Sequence, residues 1–174
     1  MIENYPERFE VILKRMAERV PGVKNVIAKT SDDGRILLRF QDSNFTDPFV
    51  STYVSDGTIK MFTYLLLLND PERHTLLCVE EPENHLYPEL LGGLIEEFRQ
   101  YSVSDDGNDY GQVFISTHSP DLLEGVRLEE LYCMGKGDDS YTTIQRAIDN
   151  DQIRALVAGG DSLGYLWNHD LLIK

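Results

Sequence analysis

Two apolar runs of this chain each end in polar side chains of the kind that carry out chemistry. The first ends in Glu80 and Glu81, and the second ends in Ser116, Thr117 and His118. Burying an ionised carboxylate costs several kcal/mol unless a cation or hydrogen bonds compensate it. The acidic pair therefore predicts a strand end that is open to solvent or close to a bound cation.

The residue types at these two strand ends suit phosphoryl transfer. A strand-end carboxylate can hold Mg²⁺, which prefers few carboxylates, several waters and substrate phosphates. The adjacent carboxylate can act as a general base on water, and a nearby histidine can contact a phosphate. Taken singly, the residues also fit a solvated acidic turn and a helix cap formed by Thr117 or Ser119. Their combination after two apolar strands favours the chemical interpretation.

The elements that must position these side chains predict an α/β fold in a single domain, 1–174. Strand, helix and strand follow one another in the middle of the chain, which predicts a parallel sheet flanked by helices, with both strands buried. Ligands bind beyond the carboxyl ends of such strands, so both polar strand ends are expected to converge there. Predicted helices span 6–20, 56–68, 88–102, 120–126, 151–159 and 161–167, and predicted strands span 23–28, 35–40, 75–80, 112–118, 130–134 and 142–148.

Composition narrows the classes of partner. The net charge is −14 and the pI about 4.5, which argues against a broad nucleic-acid face or an anionic membrane surface. No apolar run approaches the roughly 18 residues that span a bilayer. Cys78 and Cys133 lie in apolar runs and are expected to be reduced core thiols of a cytoplasmic protein.

Three segments, in this order, resemble the ABC-type ATPases of the RecF/SMC/OLD group (the AAA_21 type). Residues 53–71, "YVSDGTIKMFTYLLLLNDP", resemble the signature helix of that family. Residues 76–88, "LLCVEEPENHLYP", resemble its Walker B strand and following loop, and 113–123, "VFISTHSPDLL", its switch-histidine segment. The implied fold is a partial P-loop NTPase, with a parallel sheet flanked by helices and preceded by a short helix and a β-hairpin.

The resemblance implies a role for each residue of the two strand ends, with ATP and Mg²⁺ as ligands. Glu80 takes the place of the Mg²⁺ carboxylate, Glu81 that of the glutamate that activates water, and His118 that of the histidine near the γ-phosphate. Position 80 is Glu where many ABC proteins have Asp. The implied biological settings are DNA repair and defence against phage.

The resemblance also implies a partner subunit. Ser55, Asp56 and Gly57 match the signature turn, which contacts the nucleotide held by the opposite subunit, and a helix N-terminus suits such an anion. The loop 84–88 matches a segment that touches the partner. Tyr87 stands where the family usually has His.

A phosphate-binding loop is the missing part of this pattern. The family cradles the β- and γ-phosphates in a Gly-x-x-x-x-Gly-Lys-Ser/Thr loop. The nearest candidate, 135–140 "GKGDDS", has no glycine five residues before Gly135 and no Ser or Thr after Lys136. The chain thus resembles the C-terminal half of an ATPase core, which needs a P-loop from a partner chain and is expected to bind ATP weakly alone. It is then a fragment, a split subunit or a degenerate relative.

Two other functions remain open from the sequence. The first is a catalytically inactive interaction or regulatory module derived from such an ATPase, which the absent P-loop favours and the intact Glu81 and His118 oppose. The second is a Mg²⁺-dependent nuclease of the Toprim type, which needs further clustered acidic strand ends. The acidic segments 105–109 and 137–140 look instead like solvated turns.

Overall fold

The computed structural model describes residues 4–31, 33–103, 111–137 and 139–172. The chain divides into two compact units, Met1–Ser116 and Thr117–Lys174, and each is described by itself below. The single domain over 1–174 therefore stays a prediction. The acidic segment 105–109 and Asp138 lie outside the described residues.

The first unit begins with the predicted helix and hairpin. Helix α1 (Pro6–Arg19) has proline in its first turn, where the missing N–H costs nothing. Strands β1 (Val23–Thr30) and β2 (Ile36–Asp42) pair antiparallel, and the short β3 (Phe49–Val50) pairs antiparallel with β2.

The remainder of the first unit is an α/β segment. Helix α2 (Asp56–Leu68) precedes strand β4 (Leu76–Glu80), and helix α3 (Pro88–Tyr101) precedes strand β5 (Gln112–Ser116). β4 and β5 pair in parallel. The predicted α/β class is therefore confirmed.

In the first unit, an apolar core lies under helices α1, α2 and α3 and one face of the parallel strands. Fully buried side chains come from α1, α2 and α3. The inward-facing residues of β4 and β5 pack against them: Leu77, Val79, Val113 and Ile115. This packing holds the carboxyl ends of β4 and β5 in place relative to α2.

A buried carboxylate joins α1 to α3. Glu97 is 2% exposed and accepts hydrogen bonds from Arg15 and from Arg19, whose Nη2 lies 3.2 Å from Oε1. A Cβ on Gly93 would lie 3.0 Å from the Arg19 side chain, so glycine leaves room for that arginine. Removing one partner of a buried ion pair typically costs roughly 3–5 kcal/mol of folding stability. Glu97 therefore specifies the pairing of α1 with α3.

The opposite face of the parallel strands corrects the predicted burial. Both strands were expected to be buried, and Cys78 was expected to be a core thiol. Leu76 is 53% and Phe114 57% exposed, and Cys78 on the same face is also exposed. The prediction was wrong because an apolar run carries the same pattern whether helices cover one face of the strand or two. Among the described residues of the first unit, only the inner face is packed.

The second unit contains the predicted hairpin and terminal helices. Helix α4 (Pro120–Leu123) is followed by the antiparallel strands β6 (Tyr132–Lys136) and β7 (Thr142–Arg146). Helices α5 (Asp151–Ala158) and α6 (Leu163–Asn168) end it. Its own apolar cluster includes Leu123, Ala147, Ile153, Leu163, Leu166 and Leu172. Burial raises the pKa of the Cys133 thiol in this unit.

Across the described part of the chain, helices fall short of the length and apolar character that crossing a bilayer requires.

Candidate functional site

The two parallel strands end side by side, as predicted. Glu80, the last residue of β4, is paired in register with Ser116, the last residue of β5. Side chains alternate along a strand, so Glu80 lies on the outer face with Leu76 and Cys78. Glu80 is exposed, and its carboxylate therefore avoids the desolvation cost of a buried charge.

The next residue adopts an uncommon backbone conformation. Glu81 has φ +43°, in the left-handed region, and its N–H donates to the Ser116 carbonyl at 2.9 Å. Sparsely populated conformations of this kind cost on the order of 1–3 kcal/mol and concentrate at functional sites. Strand β4 ends at this turn, so the side chains of Glu80 and Glu81 do not alternate between the two faces of the sheet.

A short hydrogen-bonded loop, 81–87, follows. The Asn84 side-chain amide donates to Glu81 Oε2 at 2.8 Å, and its backbone N–H donates to the Glu81 carbonyl at 3.2 Å. His85 also has a left-handed backbone, with φ +66°. The catalytic candidate Glu81 is thus held through its main chain and its side chain.

Helix α2 starts directly against this loop. Ser55 caps the helix by accepting from the Thr58 N–H at 3.2 Å. A Cβ on Gly57 would lie 2.6 Å from the His85 carbonyl oxygen, which is closer than real side chains come. Glycine at position 57 therefore allows the first turn of α2 to touch the 81–87 loop. The structure places Ser55, Asp56 and Gly57 at a helix N-terminus, as the sequence predicts.

Lys60 makes a second link between α2 and the loop. Its Nζ donates to the Asn84 carbonyl at 2.7 Å and lies 5.7 Å from the centre of the Tyr64 ring. Burial raises the pKa of the Tyr64 hydroxyl, and the negative charge of Glu83 raises it further. Tyr64 therefore stays neutral beside the loop at physiological pH.

His118 lies in the second unit, two residues beyond the end of β5. It is exposed, and its ring centre is 6.1 Å from that of Trp167. The neighbouring hydroxyls bind backbone N–H groups: Thr117 Oγ1 accepts from the Ser119 N–H in a turn, and Ser119 caps helix α4 by accepting from the Leu122 N–H. Convergence of His118 with Glu80 and Glu81 stays a prediction.

The donors at the end of β4 suit a hard cation. Among the described residues, no group of three His, Cys, Asp or Glu side chains is arranged to hold a metal. Mg²⁺ needs no such cage, because it keeps several waters and takes one or two carboxylates together with substrate phosphates. The single strand-end carboxylate of Glu80 fits that chemistry.

Sequence reasoning missed the contacts that hold Glu81. Asn84 was assigned only to a loop that touches a partner, and Lys60 was not considered. One signal was present: after Asp56, Lys60 is the sole charged residue in α2, which is otherwise mostly apolar. A lone lysine one turn into such a helix indicates that its ammonium group binds a specific acceptor.

Comparisons with known proteins agree with this architecture. A solved chain, from work on "Structural biochemistry of ATP-driven dimerization and DNA stimulated activation of SMC ATPases", superposes with a TM-score of 0.56 at 13% identity, over 83% of this chain and 91% of that one. This likeness concerns the fold, and it confirms the α/β, P-loop NTPase-like class. No curated protein matches the chain significantly.

The sequence itself matches one family profile. Residues 4–124 match AAA_21, described as "AAA domain, putative AbiEii toxin, Type IV TA system". The match spans α1 to α4 and includes the acidic pair, the 81–87 loop and His118. It covers well over half of the 174 residues. The chain therefore belongs to the AAA_21 family of ATPase domains.

Proposed function

We propose that this chain supplies the water-activating half of an ATP-hydrolysing site, and that a P-loop from outside these 174 residues completes it. The observation that carries the proposal is the end of β4. Glu80 stands opposite Ser116 at the carboxyl edge of two parallel strands, and Glu81 follows in a left-handed turn held by Asn84. That edge is where α/β folds bind ligands.

Each carboxylate has a separate task in this proposal. Glu80 would hold Mg²⁺, directly or through water, and the ion would supply positive charge that offsets the charge on the phosphates. Glu81 accepts a proton from water as the water oxygen bonds to the γ-phosphorus and the bond from that phosphorus to the β–γ bridging oxygen breaks. His118 contacts the γ-phosphate, as the family resemblance implies.

The signature turn acts on a second subunit. Ser55, Asp56 and Gly57 present the backbone N–H groups of the first turn of α2, which suit a phosphate. We infer that this turn faces ATP bound to the P-loop of a partner, which is either a second copy of the full enzyme or a separate chain. The solved SMC chain comes from work on ATP-driven dimerization, which supports this assembly by analogy.

A second candidate function is an inactive interaction module of the same family. The absence of a Gly-x-x-x-x-Gly-Lys-Ser/Thr segment from these 174 residues favours it. In that case the chain would bind an active relative through the same surfaces and would hydrolyse nothing.

The test uses the chain in its natural assembly. It is tagged at its C-terminus at the chromosomal locus, purified with whatever it binds, and assayed for phosphate release from Mg²⁺-ATP. Glu81→Gln removes the base while keeping the size of the side chain. Glu72→Gln, an exposed glutamate before β4, makes the same charge change outside the site and serves as the control.

We expect Glu81→Gln to lower kcat by at least about 100-fold, because general-base catalysis contributes roughly that much or more. Glu72→Gln should match the wild type, and removing Mg²⁺ with a chelator should abolish turnover. A wild-type assembly without ATPase activity would contradict the proposal and favour the inactive module. Full activity in Glu81→Gln would remove Glu81 from the mechanism.

A further inference from the structure

We propose that Asn84 is a positioning residue for Glu81, and that Lys60 ties Asn84 to helix α2 so that a shift of α2 re-aims Glu81. This inference rests on the proposed function, because it concerns the base of that reaction. It assigns roles to two residues that neither the acidic pair nor the signature turn includes.

The first step is the restraint on Glu81 itself. A glutamate side chain has several rotamers, and a base that samples all of them attacks less often in the right geometry. The Asn84 amide donates to Oε2 at 2.8 Å, and the Glu81 N–H is bound to the Ser116 carbonyl. Oε1 receives no hydrogen bond from the described residues, so that oxygen remains available to water.

The second step is the restraint on Asn84. Lys60 Nζ donates to the Asn84 carbonyl at 2.7 Å, and a charged donor makes a stronger hydrogen bond than a neutral one. The close approach of Gly57 to the His85 carbonyl fixes the same loop to α2 one turn earlier. The 81–87 loop is therefore attached to α2 at two adjacent residues, Asn84 and His85.

The third step is the consequence for an assembly. The N-terminal turn of α2 is the segment that the proposed function gives to the nucleotide of the partner. A contact there moves α2, and α2 carries Asn84 and thereby the Glu81 carboxylate. Nucleotide bound on one subunit then adjusts the base that belongs to the site of the other.

The link itself can be measured by NMR on the chain alone. The probe is the side-chain amide signal of Asn84, which depends on the carboxylate it contacts. We expect Glu81→Ala to move this signal to the position of a free amide and Lys60→Met to move it partway. Lys60→Arg, which keeps a charged donor, should restore it, and Lys24→Met, an exposed lysine on β1, should leave it unchanged. If the Asn84 side-chain amide signal does not change in Glu81→Ala, the inference is overturned.

The catalytic role is measured in the natural assembly. We expect Asn84→Ala to lower kcat about tenfold with KM unchanged, because loss of a supporting contact typically costs 10–100-fold, roughly. Lys60→Met should lower kcat less, and Lys60→Arg should recover it, whereas a merely structural role would not separate kcat from KM.

The outcomes distinguish the two proposals. Wild-type kcat in Asn84→Ala, together with an inactive Glu81→Gln, would overturn the positioning role and leave the proposed function standing. Full turnover in Glu81→Gln would overturn the proposed function and the positioning role with it.

Discussion

The polar segments that follow β4 and β5 use similar residue types in different ways. After β5, the hydroxyls of Thr117 and Ser119 accept hydrogen bonds from backbone N–H groups, and Ser119 caps the start of helix α4. After β4, the side chain of Asn84 binds the side chain of Glu81, and Glu81 and His85 adopt left-handed conformations. Only the segment after β4 holds a proposed catalytic side chain, that of Glu81, in a left-handed turn.

The difference separates a structural role after β5 from the functional role proposed for the segment after β4. Caps satisfy backbone groups that a helix leaves unpaired, so their benefit is stability. A strained turn lowers stability and persists where the surrounding contacts hold it, which is typical of functional sites. Substitutions in the 81–87 loop should therefore affect turnover most, and those in 117–119 should affect folding, with His118 as the exception.

The largest expected effect in 117–119 is on His118. His118→Gln should lower the kcat of the natural assembly by about 100-fold, since removing one group that stabilises transition-state charge typically costs at least that. Steady-state phosphate release measures it, with Ser119→Ala compared per folded molecule. If His118→Gln were as active as the wild type, His118 would have no catalytic role, and residues 117–119 would serve only to start helix α4.

An effect on stability of intermediate size is expected at Gly57. Gly57→Ala places a Cβ against the His85 carbonyl and should lower the free energy of unfolding by about 1–3 kcal/mol. Gly92→Ala is the matched control, because that glycine lies inside α3 with nothing within 4 Å of the added carbon. It should raise stability by about 0.5–1 kcal/mol.

Urea unfolding of the isolated chain measures both glycine variants. Equal stability changes in the two would mean that α2 and the 81–87 loop do not touch, and the proposed coupling between them would lose its basis.

The smallest expected effect comes from two of the serine caps, one taken from each unit. Ser119→Ala and Ser55→Ala should each lower the free energy of unfolding by about 1 kcal/mol, because each leaves a helix N–H without its acceptor. Thermal melting measures the change, with Ser43→Ala, an exposed serine after β2, as the control. A loss in Ser119→Ala no larger than in Ser43→Ala would contradict the capping role.

The fold was predictable from the sequence wherever periodicity carries the signal. The apolar face of α1 (Phe9, Ile12 and Met16) follows helical spacing, and these residues are buried. The alternation of apolar strands with helices predicted the parallel pair, and the register places Glu80 opposite Ser116. The types and order of these elements follow from patterns that are local in the sequence, whereas the register between β4 and β5 depends on how the two strands pack.

The burial of β4 and β5 could not be predicted in the same way. Leu76, Cys78 and Phe114 are as apolar as their inward-facing neighbours, yet they are exposed. Which face of a sheet is covered depends on the layers packed against it. The sequence of an apolar strand looks the same whether helices cover one face or both.

By itself, the sequence determined the types and order of the candidate site residues, which are the acidic pair, the signature turn and His118, and it also determined the lack of a P-loop motif in these 174 residues. Only the tertiary structure decided how Glu81 is held. Lys60 and Asn84 are separated by 24 positions, and Glu97 meets Arg19 from 78 positions away. Such contacts require α2, α3 and α1 to pack first, because the distance between two side chains depends on the path of the whole backbone between them.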